Sequence, residues 1–168
     1  MNASDILSEL SIRVYEPPLS LLRENGKISN LNNPLAVLML IIDFETELTM
    51  NGINDFIGNS TGLYAYETVD ALKIIGCDET SKMLSDILKK AKDAGMTHEA
   101  IQNDRQRLEA YTVTTFHQLH GDKWDKVIDE IDHLAEQIDL QQVINCAENY
   151  IGMYKDVFTD SIKKSEEN

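Results

Sequence analysis

His117 and His120 lie three residues apart with Asp122 close behind, a spacing that can hold a metal ion on one side of a helix. Asp43 and Glu47 lie one helical turn apart with Glu45 between them. Two carboxylates that close raise the pKa of one of them if the site is buried, and could then work as an acid–base pair. Each arrangement also has a plainer reading. Imidazoles are welcome near a helix C-terminus, where partial negative charge gathers, and carboxylates at a helix end are ordinarily solvated. The plainer reading is favoured for both, so no catalytic residue, metal ligand or cofactor is expected. The chain has no glycine-rich phosphate loop, no nucleophile elbow and no Cys-x-x-Cys pair. Cys77 and Cys146 are far apart in sequence and have apolar neighbours, which predicts buried free thiols. Lys73 and Arg105 are candidate salt-bridge partners, with no chemistry of their own.

One stretch carries more pattern than any of these. In DKWDKVIDEIDHLAEQID, carboxylates recur at Asp122, Asp125, Asp129, Asp132, Glu136 and Asp139, in alternating steps of three and four. On a helix these six fall within an arc of about 100° and climb about 4.5–6 Å per step. Trp124, Val127, Ile128, Ile131, Leu134, Ala135 and Ile138 form a separate apolar stripe that would anchor the helix, and Trp124 is expected to pack there. Like charges one turn apart destabilise a helix by a few tenths of a kcal/mol each, far less than burial of that stripe returns. Duplex DNA carries one charge per about 1.7 Å of axis counting both strands, so the ridge is a rough copy of a phosphate row. The plain alternative is a solubilising acidic face.

The rest of the composition agrees with an acidic surface. There are 29 acidic and 15 basic residues, a formal net charge of −14, and residues 122–168 hold twelve of the acids against five bases. Such a surface repels nucleic acid and anionic membrane and attracts basic partners. The longest apolar run, Pro34 to Ile42, is about half a membrane span. The opening MNASDILSEL is polar and acidic, without a signal-peptide pattern, which predicts a cytoplasmic protein of bacterial type.

The elements that must position these residues read as helices throughout. With three prolines and eight glycines in 168 residues, breakers are sparse, and no segment alternates with period two. Helices are expected over about 4–14 (capped by Ser4), 19–24, 34–49, 61–75 (Leu63, Tyr66, Val69, Leu72 and Ile75 inward), 79–94 (capped by Asp78) and 97–120. The last of these would turn Leu108, Tyr111, Thr115, Phe116 and Leu119 inward. The acidic helix from Asp122 and a final one over about 140–163, burying Tyr154, Val157 and Phe158 among others, complete the set. Asn33-Pro34 is a helix start, and Gly52, Gly76, Gly95 and Gly121 are stops. Residues 34–49 are apolar nearly all round, which places that helix at the centre. The expected architecture is all-α: a single-domain bundle of seven or eight helices over residues 1–163, with a frayed tail at 164–168.

The stretch ETELTMNGINDFIGNSTGLYAYETVDALKIIGCDETSKML resembles the bacterial DNA-mimic protein (DMP) family, part of a wider group with a domain of unknown function. The matching residues are Glu47, Asn51, Gly52, Phe56, Asn59, Ser60, Gly62, Ala71, Leu72, Ile75 and Gly76. The family's second glycine and the aromatic after it are replaced around Ile53-Asn54-Asp55. The resemblance implies an all-α homodimer without enzymatic activity that occupies the DNA-binding surface of a helix-turn-helix regulator. Asn51, Gly52, Phe56, Asn59, Gly62 and Gly76 would then be structural, shaping a loop between helices. Mimicry would rest on carboxylates outside that motif: the six of the ridge, with Glu45 and Glu47 as contributors. The expected function is an acidic DNA mimic that binds a basic DNA-binding protein and blocks its DNA site. The alternative is a non-mimic protein-binding module, an immunity or adaptor protein, whose acidic surface only aids solubility.

Overall fold

The computed structural model describes residues 1–109 and 116–166, with side chains described for all of these except 108, 109 and 116. Among them are eleven α-helices, two short 3-10 helices and no strand. The α-helices are α1 (Ala3–Arg13), α2 (Leu21–Glu24), α3 (Pro34–Met50), α4 (Gly52–Gly58), α5 (Ala65–Ile74) and α6 (Asp78–Asp93), followed by α7 (His98–Glu109), α8 (Phe116–His120), α9 (Asp122–Ala135), α10 (Leu140–Met153) and α11 (Lys155–Glu166). The 3-10 helices are Lys27–Ser29 and Ser60–Tyr64. The all-α expectation holds, but seven or eight helices is too few. The stretch between the helices expected over 34–49 and 61–75 is mostly helical, and the expected final helix bends at Tyr154 (φ −121°, ψ 29°) into α10 and α11. The expected inner positions 108, 111, 115 and 116 lie outside the described side chains.

Helix α3 organises the packing. Asn33 accepts from the Leu35 amide at 3.1 Å, and Pro34 occupies the first turn, where its missing N–H costs nothing. Nine consecutive residues, Ala36 to Phe44, are buried. Helices α4, α5, α10 and α11 pack around α3 and cover Ala36 to Phe44. A fully buried Leu, Ile, Val, Met or Phe is worth about 1.5–3 kcal/mol, so this helix contributes heavily to core stability. Helix α1 packs on α10 and α11. It is capped by Asn2, not Ser4: Asn2 accepts from the Asp5 amide at 2.8 Å, and Asp5 accepts from the Asn2 amide at 2.9 Å. Cys77, not Asp78, occupies the cap position of α6.

The turn from α4 into α5 corrects two further expectations. Leu63 and Tyr66 are exposed, at 61% and 57%. Residues 60–64 form a 3-10 helix with three residues per turn, so the 3.6-residue periodicity used to orient Leu63 does not apply there, and Tyr66 is in the first turn of α5, just after the change of pitch. Gly62 sets that geometry: a Cβ on it would lie 1.9 Å from the Ile57 carbonyl oxygen and 2.9 Å from that of Phe56. Both obstacles are backbone and cannot swing aside. Gly62→Ala is therefore expected to cost about 3 kcal/mol, the upper end of the usual overpacking penalty, read as a lowered urea midpoint with an unchanged slope. An unchanged midpoint would show that the turn can open freely. Tyr154 and Val157, expected inside, are 41% and 40% exposed because the bend turns them outward, whereas Phe158 remains fully buried.

Candidate functional site: an acidic helix face

Gly121 (φ 61°) turns the chain into α9, and Asp122 and Asp125 occupy its positive N-terminal turn. The apolar stripe anchors the helix. Trp124, Ile131 and Ala135 are buried, as is Ile138 just beyond the helix, and Val127, Ile128 and Leu134 pack against the same core. Helices α4, α6 and α8 lie against α9. Trp124 is a core residue as expected: its indole Nε1 donates to the Ala94 carbonyl at 3.2 Å.

The ridge is shorter than the sequence pattern suggests. Helix α9 ends at Ala135 and Glu136 is its C-cap. Asp139 caps α10, accepting from the Gln142 amide at 3.0 Å. Ile138 is folded inward by the intervening turn. The five carboxylates from Asp122 to Glu136 keep a common arc of about 80°, and those from Asp122 to Asp132 span about 15 Å of axis.

Their surroundings differ. Asp122, Asp129, Glu136 and Asp139 are exposed, while Asp125 and Asp132 are half-buried. Asp132 accepts from Asn54 Nδ2 at 2.9 Å. Burial, and then the charges of Asp129 and Glu136, push its pKa up from the usual carboxylate range. Asp125 meets His117 Nδ1 at 2.5 Å, and Glu136 lies 3.6 Å from His133. Among the described residues no lysine or arginine forms an ion pair with a ridge carboxylate. Lys90 reaches α9 but pairs with Glu130, off the ridge, at 3.0 Å.

Glu45 and Glu47 lie on α3 and not on α9. Glu45 accepts from Thr49 Oγ1 at 3.1 Å and lines a cleft of about 190 Å³ with Ser4, Ser8, Ser11 and Glu148, between α1, α3 and α10. Glu47 Oε2 receives Asn51 Nδ2 at 3.0 Å and Asn59 Nδ2 at 2.9 Å. Arg105 from α7 donates to Asn59 Oδ1 at 2.7 Å and pairs with Asp55. The motif residues Glu47, Asn51 and Asn59 thus meet in one hydrogen-bonded knot at the end of α3. Gly52 (φ 82°) turns the chain there, and Phe56 is fully buried edge-on against Phe44, with centroids 5.2 Å apart. Gly76, with the same φ of 82°, ends α5 elsewhere in the fold.

Asp43 is not part of a solvated helix end. It is buried and held by Arg23, with Nε to Oδ2 at 3.1 Å and Nη2 to Oδ1 at 2.6 Å. Burial raises the Asp43 pKa, and the hydrogen bonds and charge of Arg23 pull the other way. The two histidines part company. His117 is exposed, whereas His120 stacks on Trp124 with centroids 3.5 Å apart and reaches the buried Asp104 at 2.5 Å. Imidazole and carboxylate atoms of His117, Asp122 and Asp125 lie within 4.8 Å of one another, so the three metal-capable groups that meet here include His117 but not His120. Cys146 is half-exposed, not buried, and its Sγ lies 3.8 Å from the carbonyl oxygen of Gly76, next to Cys77. Asn54, Asp104 and Arg105 each take part in a contact whose two ends are at least 16 positions apart, and no local pattern announces such partners.

No helix among the described residues is long and apolar enough to cross a membrane. A family model described as DMP19-like protein matches residues 29–151. No curated protein and no solved structure matches the chain.

Proposed function

The chain belongs to the DMP19-like protein family, and on that premise we propose that it is an acidic DNA mimic that binds a basic DNA-binding protein, such as a helix-turn-helix regulator, and blocks its DNA site. The observation that carries this reading is the face of α9. An amphipathic helix anchored by Trp124 and Ile131 presents Asp122, Asp125, Asp129, Asp132 and Glu136 on one side, and no lysine or arginine among the described residues neutralises them. Asp139 continues the acidic edge from the cap of α10. Glu45 and Glu47 contribute to the general negative field but lie outside the ridge. The reading needs no catalytic step and no cofactor. It places the protein in the cytoplasm with its partner, as a homodimer.

The test is capture on the immobilised chain from extract of the native cell, followed by a salt gradient and by competition with duplex DNA. The expected result is a basic DNA-binding protein that elutes as salt rises and is displaced by its own DNA, because both ligands occupy one surface. A partner that stays bound through high salt, or that binds DNA and this chain together, overturns the proposal. That outcome would favour the second reading, a non-mimic binding module, which the exposed Leu63 and Tyr66 support. An apolar hot spot there would bind with weak salt dependence.

A further inference from the structure

Cys77 and Cys146 are separated by most of the matched region in sequence, yet the fold brings them to one turn. Gly76, with φ 82°, turns the chain out of α5, and Cys77 follows it, 1% exposed, with Sγ 3.5 Å from Thr80 Oγ1. Cys146, in the middle of α10, points at the same turn. Its Sγ lies 3.8 Å from the carbonyl oxygen of Gly76, the residue before Cys77. Solvent reaches Cys146 and not Cys77. One thiol is open to a reagent and the second cysteine lies buried at the turn the first one touches, the placement an attacked and a resolving cysteine need.

We infer that Cys77 and Cys146 form a reversible disulfide site, oxidised by exchange with a small disulfide such as oxidised glutathione. In the first step Cys146 gives up its proton and its sulfur attacks one sulfur of the small disulfide. That S–S bond breaks, and the departing glutathione thiolate takes a proton. In the second step Cys77, deprotonated in turn, attacks Cys146 Sγ in the mixed disulfide and expels the second glutathione. Two protein thiols are oxidised, and one small disulfide is reduced to two thiols. Burial, the neighbouring Cys77 and then Asp78 push the Cys146 thiol up to about 11. Little thiolate is present at neutral pH, so the pair rests reduced and exchanges slowly unless disulfide is in excess. The bond would tie α10, which otherwise packs mainly on α1 and α3, to the turn between α5 and α6. This inference is independent of the mimic reading.

The test is equilibration of the 168-residue chain in glutathione buffers from fully reducing to fully oxidising, followed by acid quench, alkylation and intact mass. The expected oxidised product is a monomer that has lost two hydrogens, retains no glutathionyl group and has neither thiol open to alkylation. Its melting temperature should rise by about 5–10 °C, because the cross-link closes a long loop in the unfolded chain, and reductant should reverse the change. Cys77→Ser should stop at a glutathionyl group on residue 146, and Cys146→Ser should remain unmodified. The wild-type readout does not depend on how the variants fold. A wild-type product that stops at glutathionylated Cys146, joins two chains, or keeps both thiols open under full oxidation overturns the inference.

Discussion

Replacing Asp122, Asp125 and Asp129 with Asn and Glu136 with Gln is expected to weaken binding of the basic partner by about 30- to 1,000-fold, with little change in the melting temperature. The choice of four follows from the geometry. Asp132 holds Asn54 and Asp139 caps α10, so changing either would disturb the fold as well as the charge. Asp122, Asp129 and Glu136 are exposed, and an amide at 125 can still meet His117. Each exposed charge contributes about 0.5–1 kcal/mol in such a contact, so four contribute about 2–4 kcal/mol. At about 1.4 kcal/mol per factor of ten, that gives the stated range. The loss should be greatest at low salt and shrink as ionic strength rises, because screening removes from the parent what the substitutions remove from the variant. Relief of like-charge repulsion along the helix is offset by loss of Asp122 and Asp125 charge from its positive N-terminal turn, so folding should change by no more than about 1 kcal/mol. Calorimetric titration of parent and variant at two salt concentrations is the measurement. An affinity within about threefold of the parent at physiological salt would show that this face is not the binding surface.

Features whose cause is local could be read from the sequence. Helix α3 begins where Asn33-Pro34 says it should, because a cap and a first-turn proline act within a few residues. Gly52, Gly76, Gly95 and Gly121 all adopt positive φ at helix boundaries, as stops without a Cβ can. The start of α9 and its division into apolar and acidic faces are equally local, since both follow from spacing along one helix. Its end is not. The chain from Ala135 to Asp139 has no glycine or proline, and Asp139 serves a cap for α10 as readily as a continued ridge. The bend at Tyr154 is hidden despite Gly152 just before it, because Ile151, Phe158 and Ile162 keep helical spacing across it. Pairings between distant segments left no trace at all. Arg105 with Asn59 and Cys77 with Cys146 are joined only by the way α7 meets α4 and α10 meets the α5–α6 turn.

Arg23 and Asp43 are the costliest of these distant pairs to break. Arg23→Met is expected to destabilise the fold by about 3–5 kcal/mol, because it leaves a carboxyl in the core without its cation. The guanidinium also donates to the Val14 carbonyl and lies 5.1 Å from the centre of the Tyr15 ring, so it ties the end of α1 to α3. The loss should depend on pH in a definite direction. Burial already raises the Asp43 pKa above its unfolded value, against the pull of Arg23, and removing Arg23 raises it further. The folded variant then holds a proton more tightly than the unfolded chain does. Its stability is therefore greatest in acid, where Asp43 is neutral in both states, and falls as pH rises through the raised folded pKa. The deficit relative to the parent should be smallest at low pH and full at neutral pH. Adding Asp43→Asn to Arg23→Met should recover part of the neutral-pH loss, since the buried charge is gone. Urea unfolding of the parent and both variants across that range is the measurement. A deficit that stays constant with pH, or a double variant no more stable than the single one, would mean that Arg23 acts through its packing rather than its charge.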